Sequence, residues 1–228
     1  MTVEQKGIDG NIVDKKKFIE HYTRSNRLAD HQSVINYLQS NPPEGWNRKF
    51  IFLGCSEGGP IAISLTMEYS DSVIATLNWC GAIDCSWKEH LWTYIHKILI
   101  ENPECSHKVT LSDCDICLDQ IRSREHYDQR MDEIACDSSS DKHFLGMTYK
   151  YHADAMLYSD IDYKKIKGPF LVVAGSNDSI TPFTDAFVEK AKVAGVDITY
   201  LRVKDMDHFI RKRPDIINES FQWLKNIQ

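Results

Sequence analysis

No run in the 228-residue chain is apolar over the length that a membrane-spanning helix needs. The N-terminus, Met1-Thr2-Val3-Glu4-Gln5-Lys6, lacks the apolar centre of a secretory signal. Basic residues are scattered among a larger number of acidic ones, for a formal net charge of −6. No basic patch invites nucleic acid, and no polybasic stretch invites anionic lipid. Cysteines are few and irregular: seven of them, an odd number, at 55, 80, 85, 105, 114, 117 and 136. That spacing excludes a disulfide framework and points to a reducing compartment, so a cytoplasmic location is expected.

The pair Cys114-Asp115-Ile116-Cys117 has the spacing of a thiol redox motif or of half a zinc site, but no second C-x-x-C or C-x-x-H follows. Cys114, Cys117, Leu118 and Ile121 recur at helical spacing, which makes both thiols small buried hydrophobes on a helix capped by Ser112. No metal and no cofactor are expected.

What is present is enough apolar residue, 42%, for one domain with its own core. Val3 to Gly7 reads as the tail of a strand, and Gly7 to Asn11 as a turn. Helices are predicted from Asp14, with Phe18, Ile19 and Tyr22 on one side, and from about Arg27 to Gln39. Asn41-Pro42-Pro43-Glu44-Gly45 stops the second. A strand over 49–53, a helix carrying Ile61, Ala62, Leu65 and Tyr69, and a strand from Ser72 to Gly81 follow.

The next strand, Pro169 to Gly175, comes nearly ninety residues later, far more than a crossover helix requires. Residues 82–160 are therefore an insertion, mostly helical, with Trp87, Leu91, Tyr94, Ile95 and Ile98 as one stripe and an exposed loop over Asp137 to Asp141. It serves either as a cap over the strand ends or as a surface-packed helical pair. After Gly175 a helix begins with Thr181 as its cap and Pro182 in its first turn. A last strand covers Asp197 to Val203, and a last helix runs from Pro214. Strands alternating with helices predict an α/β protein with a mostly parallel sheet flanked by helices, its core formed by 1–81 and 161–228.

The chain is organised around Phe50-Ile51-Phe52-Leu53-Gly54-Cys55-Ser56-Glu57-Gly58-Gly59. An apolar strand stops at Gly-x-Ser-x-Gly and a helical pattern starts at once, the form of a nucleophile elbow. The strained turn needs small neighbours, expected of Gly54 and Gly58, while Gly59 lets the helix pack against the strand. A serine hydroxyl needs a base to take its proton and a carboxylate to orient that base. Asp178 lies just past one predicted strand and His208 just past the last, where ligands bind in open α/β sheets. Asp205 and Asp207 are alternative acids, and a loop aspartate such as Asp178 also serves as a turn cap.

The stretches Phe52 to Ala62, Gly175 to Pro182 and Asp205 to Ile210 together resemble an α/β-hydrolase fold serine hydrolase, over about Val3 to the C-terminus. The resemblance implies Ser56 as nucleophile, His208 as general base and then acid, Asp178 as orienting carboxylate and the Glu57 backbone N–H as an oxyanion donor. It implies acyl transfer on a small-molecule ester or acyl substrate, most directly a carboxylic ester, with peptidase and thioesterase chemistry sharing the same attack. Family members usually carry three or four strands before the elbow, whereas 55 residues precede Ser56 here, with no His-Gly dipeptide. The first strands and the loop supplying a second oxyanion donor are thus expected to be missing, with Met1 an internal start or the result of truncation. The competing reading is a truncated, non-catalytic binding module.

Overall fold

The structure is a computed structural model that describes residues 2–101, 108–111, 114–117, 121–158 and 160–227. The chain forms two compact units, Gln32–Asp84 with Asp160–Gln228, and Met1–His31 with Cys85–Ser159.

In chain order the first elements are a two-stranded hairpin, β1 (Ile8–Asp9) and β2 (Ile12–Val13), then α1 (Lys15–His21) and α2 (Arg24–Ser40). The main sheet and its helices come from β3 (Phe50–Cys55), α3 (Gly58–Glu68) and β4 (Val73–Trp79). There follow α4 (Trp87–Glu101), a hairpin of β5 (Lys108–Leu111) and β6 (Cys114–Cys117), α5 (Arg124–Cys136), a hairpin of β7 (His143–Phe144) and β8 (Met147–Thr148), and α6 (Tyr149–Ala155). The sheet is completed by β9 (Phe170–Gly175), α7 (Thr181–Val193), β10 (Ile198–Val203) and α8 (Pro214–Asn226).

The sheet of the first unit has the order β10-β9-β4-β3, and all three pairings are parallel. Every residue of β9 is buried, as expected of a central strand covered on both faces. Alternation divides its side chains. Phe170 and Val172 pack with Ile63 of α3 and with Phe187, Val188 and Ala191 of α7. Leu171 and Val173 join Leu77, Trp79, Met206, Ile210 and Ile216 of α8 on the other face. Thr66 and Thr76, both fully buried, satisfy each other at 2.7 Å between α3 and β4. Among the described residues β3 is an edge of this sheet. Its Ile51 and Leu53 are 38% and 44% exposed on the face that carries α8.

The second unit has a separate core of Trp87, Leu91, Ile95 and Ile98 from α4, Tyr127, Met131 and Ile134 from α5, and Phe144, Tyr149 and Tyr151. The N-terminal residues belong to this unit and not to the sheet core expected for 1–81, because their aromatics are apolar partners of α6. Phe18 stacks on Tyr22 and Tyr22 on Tyr151, each at 4.9 Å between ring centres. Residues 3–5 form no strand; the first pairing is the β1–β2 hairpin, turned by Gly10 at φ +57°. Cys114 and Cys117 lie in β6, antiparallel to β5, and not on a helix. Their spacing of three fits a helical turn, but β-branched Val109, Thr110 and Ile116 favour the paired strands. The proposed Ser112 cap lies outside the described residues. Sequence periodicity also missed α5, a mostly polar helix started by the Ser123 side chain, which accepts from the His126 N–H.

A buried histidine makes the second unit sensitive to acid. His152 is fully buried, accepts the Trp87 indole N–H at Nδ1 (3.1 Å), and its Nε2 donates to the Phe144 carbonyl (2.7 Å). Burial lowers its pKa, against the backbone bond, with the Arg24 charge acting in the same direction. The unfolded chain therefore takes up a proton that the folded chain refuses. Stability contributed by neutral His152 is complete above the ordinary histidine value and is lost as pH falls below about 6.5. The slope approaches about 1.4 kcal/mol per pH unit for one proton. Urea unfolding between pH 7.5 and 5 is expected to show that decline, and His152→Gln to flatten it.

A second expectation concerns the edge strand. Leu53→Lys places a charge on an exposed edge position, changing stability by about 0.5 kcal/mol or less. Light scattering at rising protein concentration is expected to show less self-association than in the wild type.

Candidate active site

Ser56 follows β3 with φ +51°, the left-handed region that few residues other than glycine adopt. Two hydrogen bonds hold it there: its N–H donates to the Trp79 carbonyl and its carbonyl accepts from the Gly59 N–H, both at 2.8 Å. The turn is sharp enough that α3 begins two residues later, with Glu57 at the N-cap position. The Glu57 N–H thus belongs to the positive end of the α3 dipole.

Close approach accounts for the glycines, with one change from expectation. A Cβ on Gly54 would meet the Gly58 carbonyl oxygen at 2.4 Å, and one on Gly59 would meet Gly81 backbone at 2.5 Å. A Cβ on Gly58 would meet nothing within 4 Å, so Gly58 is not required for space. Gly81 is: its Cβ would lie 2.2 Å from the Ser56 carbonyl oxygen. Sequence reading took Gly81 only as the end of a strand, and nothing in the residue types there marked the crowding; the residue before it, Cys80, is also left-handed at φ +52°. Asn78, fully buried and paired in register with Gly54, braces the elbow by donating to the Gly59 carbonyl at 3.1 Å.

Asp178 sits on the turn after β9. Its Oδ1 accepts the Ile180 N–H at 3.2 Å, and its Oδ2 lies 2.7 Å from His208 Nδ1. The carboxylate side chain is 2% exposed and the imidazole 32%. His208 Nε2 is 2.7 Å from Ser56 Oγ. The three residues expected from sequence are therefore joined in one hydrogen-bonded chain, Ser56 to His208 to Asp178.

Neither alternative acid bonds to the histidine ring. Asp207 accepts the Phe209 N–H at 2.8 Å and the Lys212 ammonium at 2.5 Å, and the Lys212 bond holds its carboxyl below the usual range. Asp205 is a turn residue at φ +57° whose N–H donates to the Ser176 hydroxyl at 2.8 Å. Thr181 is not a cap: Ile180 holds that position, and the Thr181 hydroxyl instead donates to the Gly175 carbonyl at 2.6 Å. Gly175 admits the histidine loop, because its Cβ would lie 2.2 Å from the Met206 carbonyl oxygen. Cys80 is fully buried beside these loops; burial, then the Asp178 charge, pushes its thiol up to about 12. It is a neutral packing group at neutral pH. Among the described residues no cluster of three His, Cys, Asp or Glu side chains has the arrangement of a metal site, and no helix is long and apolar enough to cross a membrane.

A parallel sheet with helices on both faces, an elbow after one strand and an acid and a histidine after two others define an α/β-hydrolase fold. Solved structures agree. A carboxylesterase from the thaumarchaeon Nitrososphaera gargenis superposes with a TM-score of 0.57 at 13% identity, over 98% of this chain and 78% of that one. A monoacylglycerol lipase from Paleococcus ferrophilus gives 0.55 at 18% identity, over 91% and 77%. An α/β-hydrolase fold protein from Chitinophaga pinensis gives 0.52 at 14% identity, over 89% and 71%. No protein-family model matches the chain, and no curated protein matches it in sequence.

The packing separates the two motif glycines. Gly54→Ala is expected to destabilise by more than about 2 kcal/mol, since its Cβ meets backbone that cannot yield. Gly58→Ala, in the first turn of α3, is expected to cost less than about 0.5 kcal/mol or to stabilise. Thermal unfolding of the two variants checks this.

Proposed function

We propose that this protein is a serine hydrolase that cleaves a carboxylic ester through an acyl-enzyme. The observation that carries the reading is the continuous chain of two 2.7 Å hydrogen bonds from Ser56 Oγ through His208 to Asp178. As Ser56 Oγ attacks the ester carbonyl carbon, its proton passes to His208 Nε2. Asp178 holds the Nδ1–H tautomer and stabilises the imidazolium that forms. Negative charge developing on the carbonyl oxygen is met by the Glu57 N–H at the head of α3. Collapse of the tetrahedral adduct expels the alcohol, which takes the proton from Nε2. Water, deprotonated by the same nitrogen, then releases the acid and restores Ser56. The low exposure of Asp178 strengthens its hold on the ring, because solvent competes weakly there. The esterase and lipase among the structures of this fold support an ester over an amide as the first substrate to test.

The test is labelling of the full chain with a fluorophosphonate, followed by turnover of p-nitrophenyl esters of increasing acyl length, with a thioester and a p-nitroanilide as comparisons. Labelling is expected in the wild type and absent from Ser56→Ala and His208→Ala. Asp178→Asn is expected to lower kcat on the order of 10⁴-fold by favouring the wrong tautomer. A wild-type chain with a cooperative unfolding transition that neither labels nor hydrolyses any ester would reject the proposal. Faster thioester or anilide turnover would move it to the thioesterase or peptidase reading.

A further inference from the structure

The unit formed by Met1–His31 and Cys85–Ser159 contains a cation that the proposed hydrolytic chemistry does not use. Arg24, the first residue of α2, is only 5% exposed. Its guanidinium lies over the Trp87 ring, 4.4 Å from the ring centre. Its Nε is buried with no acceptor, and among the described residues its side chain makes neither an ion pair nor a hydrogen bond.

Burial of a charge is tolerated when the charge is paired, and a ring face compensates only part of the lost hydration. Asp154 makes no ion pair with Arg24 among the described residues; its Oδ2 accepts the Ser25 N–H at 3.0 Å. The next first-turn donor of α2, Asn26 N–H, is taken by the Thr23 hydroxyl at 3.1 Å. The Ser25 and Asn26 N–H groups of the helix end are thus satisfied, whereas Arg24 Nε is not. His152 offers no acceptor, because both ring nitrogens are engaged.

We propose that Arg24 anchors a binding site for an oxyanion, the carboxylate or phosphate group of a small ligand. Trp87 covers the face of the guanidinium, so an acceptor must approach in its plane. The Nε–H and its neighbouring Nη–H form the parallel fork that matches two oxygens of a carboxylate or phosphate. Trp87 is itself fixed by the bond to His152, which in turn bonds to Phe144, so the fork is held before the ligand arrives. This inference stands apart from the hydrolase reading and survives its failure.

The experiment titrates the full chain with inorganic phosphate and, separately, with acetate, at ionic strength held constant with chloride. Tryptophan emission reports binding, since the guanidinium rests on an indole, and the thermal midpoint reports linkage. A saturable response to either anion is expected in the wild type; the anion that gives it identifies tetrahedral or planar recognition. Arg24→Gln is expected to weaken it at least tenfold. Arg24→Lys, which keeps the charge and loses the fork, is expected to weaken it several-fold. No saturable response to either anion, or an equal response from Arg24→Gln, overturns the proposal. If Arg24→Gln does not fold, an unweakened response from Arg24→Lys overturns it instead.

Discussion

The architecture of the site depends on backbone meeting backbone where β3 turns into α3. Ser56 is held at φ +51°, a conformation that costs a residue with a side chain about 1 kcal/mol or more. It is kept there because β4 ends alongside. The Trp79 carbonyl takes the Ser56 N–H, Gly81 runs against the Ser56 carbonyl, and Gly54 and Gly59 allow α3 to close in. Side chains at these positions would drive the layers apart. The hydroxyl is presented because the contacts beneath it leave the backbone no room to relax.

The parallel sheet then determines which loops meet. Parallel strands send all their carboxyl ends to one side, so the turns after β3, β9 and β10 share an end of the sheet. Ser56 follows an edge strand, whereas β4 and β9 separate it from β10, at roughly 4.8 Å per strand. His208 must therefore reach back across the sheet. The reach is built by Gly175, over which the Met206 backbone passes, and by the Asn177 N–H, which donates to the Met206 carbonyl at 3.0 Å. Asp207 fixes the far side of that loop through Phe209 and Lys212. An aspartate adjacent to the histidine thus shapes the loop, while one thirty residues earlier touches the ring.

The two units solve the problem of buried polarity differently. In the sheet unit the Thr66 and Thr76 hydroxyls face one another and the Asn78 amide N–H meets the Gly59 carbonyl, while Asn78 Oδ1 and Trp79 Nε1 are buried without a hydrogen-bond partner among the described residues. In the other unit an imidazole and an indole are joined in a chain that ends on a backbone carbonyl, with a guanidinium laid on the indole. Such a chain links acid stability to one histidine. It also leaves an arginine whose hydrogen-bonding edge has no protein acceptor among the described residues.

Much of this was legible from residue types alone. An apolar strand that stops at Gly54, with a helical pattern from Gly58, can turn in few ways, so the elbow and the order of the main-sheet strands with α3, α7 and α8 follow from local chemistry. The order Ser56, Asp178, His208 followed too, because each lies just past an apolar run. What sequence spacing could not decide were matters of which atoms come within hydrogen-bonding distance. Asp178, Asp205 and Asp207 are alike as residues, and only the fold of the β9 and β10 turns selects the first. Gly58 and Gly81 are equally permissive, yet crowding falls on Gly81 and spares Gly58, since it arises between strands far apart in the chain. Cys114 and Cys117 suit a helix by spacing and lie in a strand by pairing. Local sequence determined the elbow, the four strands of the main sheet and the chemistry they carry, because turn, strand and helix preferences act over a few residues. Tertiary structure decided which of those groups touch, because contact is set by the packing of segments that the chain itself keeps apart.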